Sequence, residues 1–96
     1  MKPSEALRSH RQDIRRLGEQ NRTRNPRAFG SALHGDDTDD SDLDLLVGPT
    51  PDMTLMDIAR IQNQFQKLLG VPVDVLTPKA LPESFRDQVL REALPV

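Results

Sequence analysis

The segment Asp42-Leu43-Asp44-Leu45-Leu46-Val47 limits the fold of this chain more than any other. It reads as a strand, in which side chains alternate faces, so Asp42 and Asp44 share one face while Leu43 and Leu45 turn to the other, into a core. Two carboxylates side by side repel, and no acidic pair belongs on a buried face without a cation. A hard divalent ion such as Mg²⁺ supplies that cation and takes carboxylate oxygens by preference. A third acid, Asp74, stands in the otherwise apolar run Val71-Pro72-Val73-Asp74-Val75-Leu76. If that strand neighbours the first, Asp74 joins the same face and a three-carboxylate cluster results. Such a cluster holds two metal ions roughly 3.5–4 Å apart, the arrangement used for in-line phosphoryl displacement. Asp42, Asp44 and Asp74 are therefore the candidate catalytic and metal-binding residues, with Asp74 as base or ligand nearest an acceptor.

Upstream, Phe29-Gly30-Ser31 ends another short strand, with ten residues between Ser31 and Asp42. A glycine there lets the backbone approach a phosphate closely, and the serine adds a hydroxyl and an N–H. Gly30 and Ser31 are the candidate nucleotide-binding residues, and Gly35 permits the turn that brings the loop back. The acids Asp36, Asp37, Asp39 and Asp40 read as a solvated loop without a catalytic role. Asp40-x-Asp42-x-Asp44 begins like a calcium-binding EF-hand loop but fails as one, since position six is Leu45 and position twelve is Pro51. His34 reads as a loop residue near the site.

Periodicity supplies the frame. Residues 4–22 are expected to form a helix with Leu7, Ile14 and Leu17 on one stripe. Asn21 to Pro26 reads as a polar connection and Arg27 to Phe29 as a strand, with the second strand at Leu43–Val47. Gly48-Pro49-Thr50-Pro51 breaks the chain, and Thr54 with Asp57 resembles a capping box for a helix that buries Ile58, Ile61, Phe65 and Leu68. Gly70 stands where a helix-ending glycine belongs, and Pro72 suggests an edge or strand-start position for the third strand. A last helix covers about 82–94, with Phe85, Val89 and Ala93 on one face. The expectation is an α/β (α+β) fold, a small mixed sheet flanked by helices in the order α-β-β-α-β-α, with 1–96 as a single domain.

With 96 residues, three aromatics and 35% hydrophobic content, the core must be thin, so a partner chain or a twin subunit is a natural source of further burial. No cysteine is present, which excludes disulfides and thiolate metal sites. No apolar run reaches the length of a membrane span, and the start lacks a signal-peptide core, so the expected location is cytoplasmic with no membrane association. The net charge of −2 does not suggest direct nucleic-acid binding. Residues 1–27 carry eight bases and three acids, a balance of +5, while 28–96 carry five bases and 12 acids, a balance of −7. The basic first segment reads as a solvated helix face or a docking surface.

Gly30-Ser31, ten residues, then Asp42-x-Asp44 resembles the G-S-x₁₀-D-x-D signature of the minimal nucleotidyltransferase (MNT) group in the DNA polymerase β-like superfamily. The resemblance runs through Ser41–Val47, Val73-Asp74-Val75 and the tail Val89-Leu90-Arg91-Glu92-Ala93, which is similar to the closing helix of the family. It implies a polymerase β-like nucleotidyltransferase fold and Mg²⁺-dependent transfer of AMP from ATP. Members resembling this chain are often antitoxins, paired with a HEPN-domain toxin and modifying its tyrosine hydroxyls. By that analogy Asp42 and Asp44 are the metal-binding pair, Asp74 the third carboxylate, and Gly30 and Ser31 the phosphate holders. The chain departs from the Gly-Ser-Arg-Ala-Arg-Gly of many relatives at Ala32 and His34. Two other readings compete: a non-catalytic module that neutralises a toxin by docking, and a nucleotidyltransferase acting on a small molecule or RNA. The latter enzymes generally carry an additional domain for the acceptor, for which 96 residues leave no room.

Overall fold

The computed structural model describes residues 1–96. Two helices, α1 (Pro3–Ser9) and α2 (Arg11–Gln20), lead into β1 (Thr23–Phe29), a short α3 (Ser31–His34), β2 (Leu43–Pro49), α4 (Leu55–Leu69) and β3 (Val73–Leu76). A 3₁₀ turn at Pro78–Ala80, α5 (Glu83–Glu92) and the two-residue β4 (Leu94–Pro95) complete the chain. The strands form one sheet in the order β3-β2-β1-β4, with β1 antiparallel to β2 and β4, and β2 parallel to β3. The sheet is mixed and flanked by helices, as expected.

Beyond the added α3 and the 3₁₀ turn, the elements differ from the expected α-β-β-α-β-α in three places. The leading helix breaks at His10, whose backbone (φ −128°, ψ 24°) leaves the helical region. Nothing in the local residue types demands a break. The first turn of α1 is instead tethered from afar: the Ser4 N–H donates to Asp37 Oδ2 at 2.8 Å, and Pro3, Ala6 and Leu7 are buried. Second, the polar stretch before Pro26 is not a connection, since β1 already begins at Thr23. Its register with β2 shifts between Arg24 and Arg27, and Asn25 adopts φ +53°. Pro26 lies in that irregularity, where a residue without an N–H leaves no ladder bond unmade. Third, the residues after α5 form β4, whose Leu94 and Pro95 pair with Ala28 and Arg27.

One face of the sheet carries the main core. Ala28, Leu43, Leu45, Val47, Val73 and Val75 meet Ile14, Ile61 and Phe65 from α2 and α4. Leu69 is buried there, while Ile58 and Leu68 pack at its margin. The α4 cap forms as read: Asp57 N–H donates to Thr54 Oγ1 at 3.3 Å and Thr54 N–H to Asp57 Oδ2 at 2.9 Å. Gly70 ends the helix at φ +69°. β3 follows Pro72 and is an edge strand, blunted by two α4 side chains: Gln66 Oε1 accepts from Val73 N–H and Gln62 Oε1 from Val75 N–H.

The other face holds a smaller cluster of Phe29, Leu46 and Leu81, with Leu76, Val89, Leu90 and Ala93 packed against it. Leu46 and Leu76 are register partners, and two residues earlier on the same strands Asp44 and Asp74 are partners too. By strand alternation the carboxylates share this second face with the leucines. Phe85 does not bury with Val89 and is 43% exposed. No helix is long and apolar enough to cross a membrane.

Candidate active site

Three strand ends meet at the acidic end of the sheet. The parallel register sets Asp44 beside Asp74, and the antiparallel register sets Phe29 beside Asp44, so Gly30 follows directly next to the carboxylate. Asp42 stands just before β2 and is exposed, as is Asp74, while Asp44 is partly buried. The chain turns at Gly30 with φ +80° and ψ −151°, and a Cβ on that residue would collide with Asp44 Oδ2. Glycine is required there twice, for the backbone conformation and for the approach of the carboxylate. Ser31 opens α3, and Gly35 closes it in the left-handed region at φ +76°. The five residues singled out from the sequence thus come together around one spot.

Electrostatics mark the same spot. Burial, then the charge of Asp74, then that of Asp42 push the Asp44 carboxyl up to about 6. The three acids are neighbours along the sheet and not a closed cage: no three acidic or imidazole side chains stand close enough to grip one ion as they are. Like charges without a counterion have no reason to draw closer. Their chemistry fits Mg²⁺, since all the donors are hard carboxylate oxygens and Asp44 carries a negative charge that nothing in the chain compensates.

The raised Asp44 has a measurable consequence for stability. A carboxyl whose pKa is higher folded than unfolded binds its proton more tightly in the native state. Its contribution is fully present below pH about 4 and is lost as pH rises through about 6. Asp44→Asn is therefore expected to stabilise the metal-free protein above pH 6, by about 1–2 kcal/mol once solvent screening of a half-buried site is allowed for. The gain should vanish at pH 4. Thermal melts in a chelating buffer at the two pH values check this, and equal gains at both would contradict it.

The loop acids do not all behave as solvated residues. Asp36, Asp39 and Asp40 are exposed, but Asp37 is buried, and the Ser4 N–H bond holds its carboxyl below the usual range. Asp37 joins the loop to α1, a structural role that loop composition does not reveal.

No residue of α5 reads as a site residue in the sequence, yet the helix borders the site. A cavity of about 340 Å³ lies between α5 and the end of β1, with Gly30 in its wall. His34 faces it from α3, and its Nε2 lies 3.3 Å from Glu92 Oε2. Only the placement of α5 across the sheet assembles these groups, and no spacing in the sequence announces them.

Comparison with known proteins follows the same lines. The family described as polymerase beta, nucleotidyltransferase matches residues 13–96. The protein adenylyltransferase MntA of Thermococcus cleftensis is 30% identical over 89 residues, covering 92% of this chain and 86% of the relative. A Methanocaldococcus jannaschii chain, provisionally named a protein adenylyltransferase, is 34% identical over 68 residues, 71% of this chain and 73% of that one. A solved structure of a provisionally assigned minimal nucleotidyltransferase superposes with a TM-score of 0.86 at 41% identity, over 97% of this chain and 95% of that one. A crystal structure of a toxin-antitoxin with AMP-PNP shares the fold, with a TM-score of 0.74 at 18% identity over 88% and 70% of the two chains. The chain belongs to the polymerase β-type nucleotidyltransferase family and has the fold of its minimal members.

Proposed function

We propose that this protein, as one minimal nucleotidyltransferase domain over residues 1–96, transfers AMP from ATP to a hydroxyl of a partner protein. The partner is a HEPN-type toxin, the acceptor is a tyrosine, and the transfer serves as the antitoxin's means of neutralising it. The observation that carries the reading is the meeting of Asp44 with Asp74 in register, directly beside the obligatory glycine of the Gly30-Ser31 turn. Relatives named as protein adenylyltransferases support the reaction class, and the toxin-antitoxin neighbour is in keeping with the partner.

Asp42, Asp44 and Asp74 would hold Mg²⁺, which when bound neutralises the charge that builds on the transferring phosphoryl group. The chain's own residues do the rest. Gly30 lets the backbone come against the triphosphate, and Ser31 donates its hydroxyl and N–H to phosphate oxygens. Asp74, exposed at the acidic end of the sheet, accepts the proton of the incoming hydroxyl. That oxygen then bonds to the α-phosphorus, the bond from this phosphorus to the bridging oxygen of the β-phosphate breaks, and pyrophosphate leaves.

Incubation with ATP, Mg²⁺ and the HEPN-type partner is expected to raise the partner's intact mass by one or more adenylyl groups and to release pyrophosphate in equal amount. An unchanged mass, with the partner nonetheless silenced, would establish the protein as a docking module instead.

A further inference from the structure

The cavity between α5 and β1 shares Gly30 with the acidic site, so whatever fills it lies against the phosphate-holding turn. Its lining is mixed: Phe29, Phe85 and Val89 are apolar, and His34, Gln88 and Glu92 are polar. Phe85 is 43% exposed although Val89 and Leu90, on the same helix, pack onto the sheet. An aromatic left half in water at the mouth of a concave site offers its ring to a flat ligand. The polar groups are connected: Gln88 Nε2 lies 3.4 Å from Glu92 Oε1, and His34 Nε2 lies 3.3 Å from Glu92 Oε2.

We infer that this cavity takes the purine base of the nucleotide, with Phe85 stacking on the ring and Gln88 and Glu92 selecting adenine over guanine. The inference rests on the nucleotidyltransferase reading of the adjoining carboxylates. Its volume, about 340 Å³, falls within the usual range for small-molecule sites, roughly 300–1,000 Å³. A glutamine amide offers a donor and an acceptor side by side, which matches an adenine edge bidentately. The Glu92 carboxylate accepts from the exocyclic amine of adenine. Guanine carries a carbonyl oxygen at that position, and two oxygens with no proton between them repel.

Calorimetric titration of the full chain with Mg²⁺ and ATP, GTP or inorganic triphosphate tests this. Phe85→Ala is expected to weaken ATP binding roughly five- to 150-fold, the usual range for loss of one base–aromatic stack, and to leave inorganic triphosphate binding within about twofold. Glu92→Gln should narrow the preference for ATP over GTP while ATP still binds. Thermal melts confirm that each variant is folded, which the exposure of both positions favours. Unchanged ATP affinity in Phe85→Ala, or wild-type protein that binds ATP no better than inorganic triphosphate, overturns the inference. The two readings fail separately. AMP transfer that persists with an unaltered ATP affinity in Phe85→Ala removes only the base pocket. ATP binding that depends on Phe85 without any transfer keeps the pocket and removes the reaction.

Discussion

Asp42→Asn combined with Asp44→Asn is expected to lower the AMP-transfer rate about a thousandfold or more, without unfolding the protein. Stabilisation of a transferring phosphoryl group by bound metal is worth several kcal/mol, and each 1.36 kcal/mol is a factor of ten. Both carboxylates lie at the end of β2, outside the main cluster that Leu43, Leu45 and Val47 form with the helices. Their loss should therefore leave the core alone, and relief of the repulsion at Asp44 should make the metal-free variant more stable, not less. A variant that is slower and firmer identifies functional residues, because a purely structural pair would lose rate and stability together. Ser31→Ala should cost much less, since it deletes one hydroxyl contact and keeps the backbone donors. The measurement is single-turnover transfer to the partner, followed by a test of whether the partner is still silenced. Full neutralisation by the double variant, with no adenylyl group added, would make docking the mechanism and leave the acidic site without a role in it.

The parts of this molecule that local chemistry decides were legible in the sequence. Thr54 and Asp57 close the α4 cap, Gly70 ends the helix, and alternation along 42–47 sends Leu43 and Leu45 to the main core and the acids to the opposite face. The nearness of Gly30, Asp44 and Asp74 was legible in part for the same reason, since strand alternation and the glycine turn are local, while the pairing of β2 with β3 that completes it is not. What escaped depends on contacts between distant segments. The break at His10 accompanies a tether from Asp37, 33 residues away from the Ser4 N–H it accepts. The early start of β1 is masked by Pro26, which a lattice of strand bonds tolerates only because the register shifts there. Helical spacing puts Phe85 on one face with Val89 and Ala93, yet it stands 43% exposed while those two pack onto the second cluster. The cavity beside Gly30 likewise depends on contacts between distant segments, since its lining comes from β1, α3 and α5.

Gly30→Ala is expected to be the most damaging single-methyl change in the chain. At φ +80° and ψ −151° the residue occupies a region that is essentially open to glycine alone, where a side chain costs about 1–3 kcal/mol. In a domain of this size each kcal/mol moves the melting temperature by roughly 4–8 °C. Strain is only half of the effect, because the added methyl also meets Asp44 Oδ2, so either the carboxylate swings away or the turn carrying Ser31 retreats. Each adjustment disturbs the site, and transfer should fall with stability. Gly70→Ala is the control: its φ of +69° imposes strain as well, but no atom lies within 4 Å of the added methyl, and it should cost stability while sparing the rate per folded molecule. A double-substitution cycle separates the two causes. Asp44→Ala removes the obstructing oxygen, so Gly30→Ala should cost less in that background than in the wild type, with a coupling of about 0.5 kcal/mol or more, in the range seen for residues in contact. The backbone strain should remain in both. Strict additivity of the two changes would mean that the glycine answers only to the turn, and that its closeness to Asp44 is not what the site requires of it.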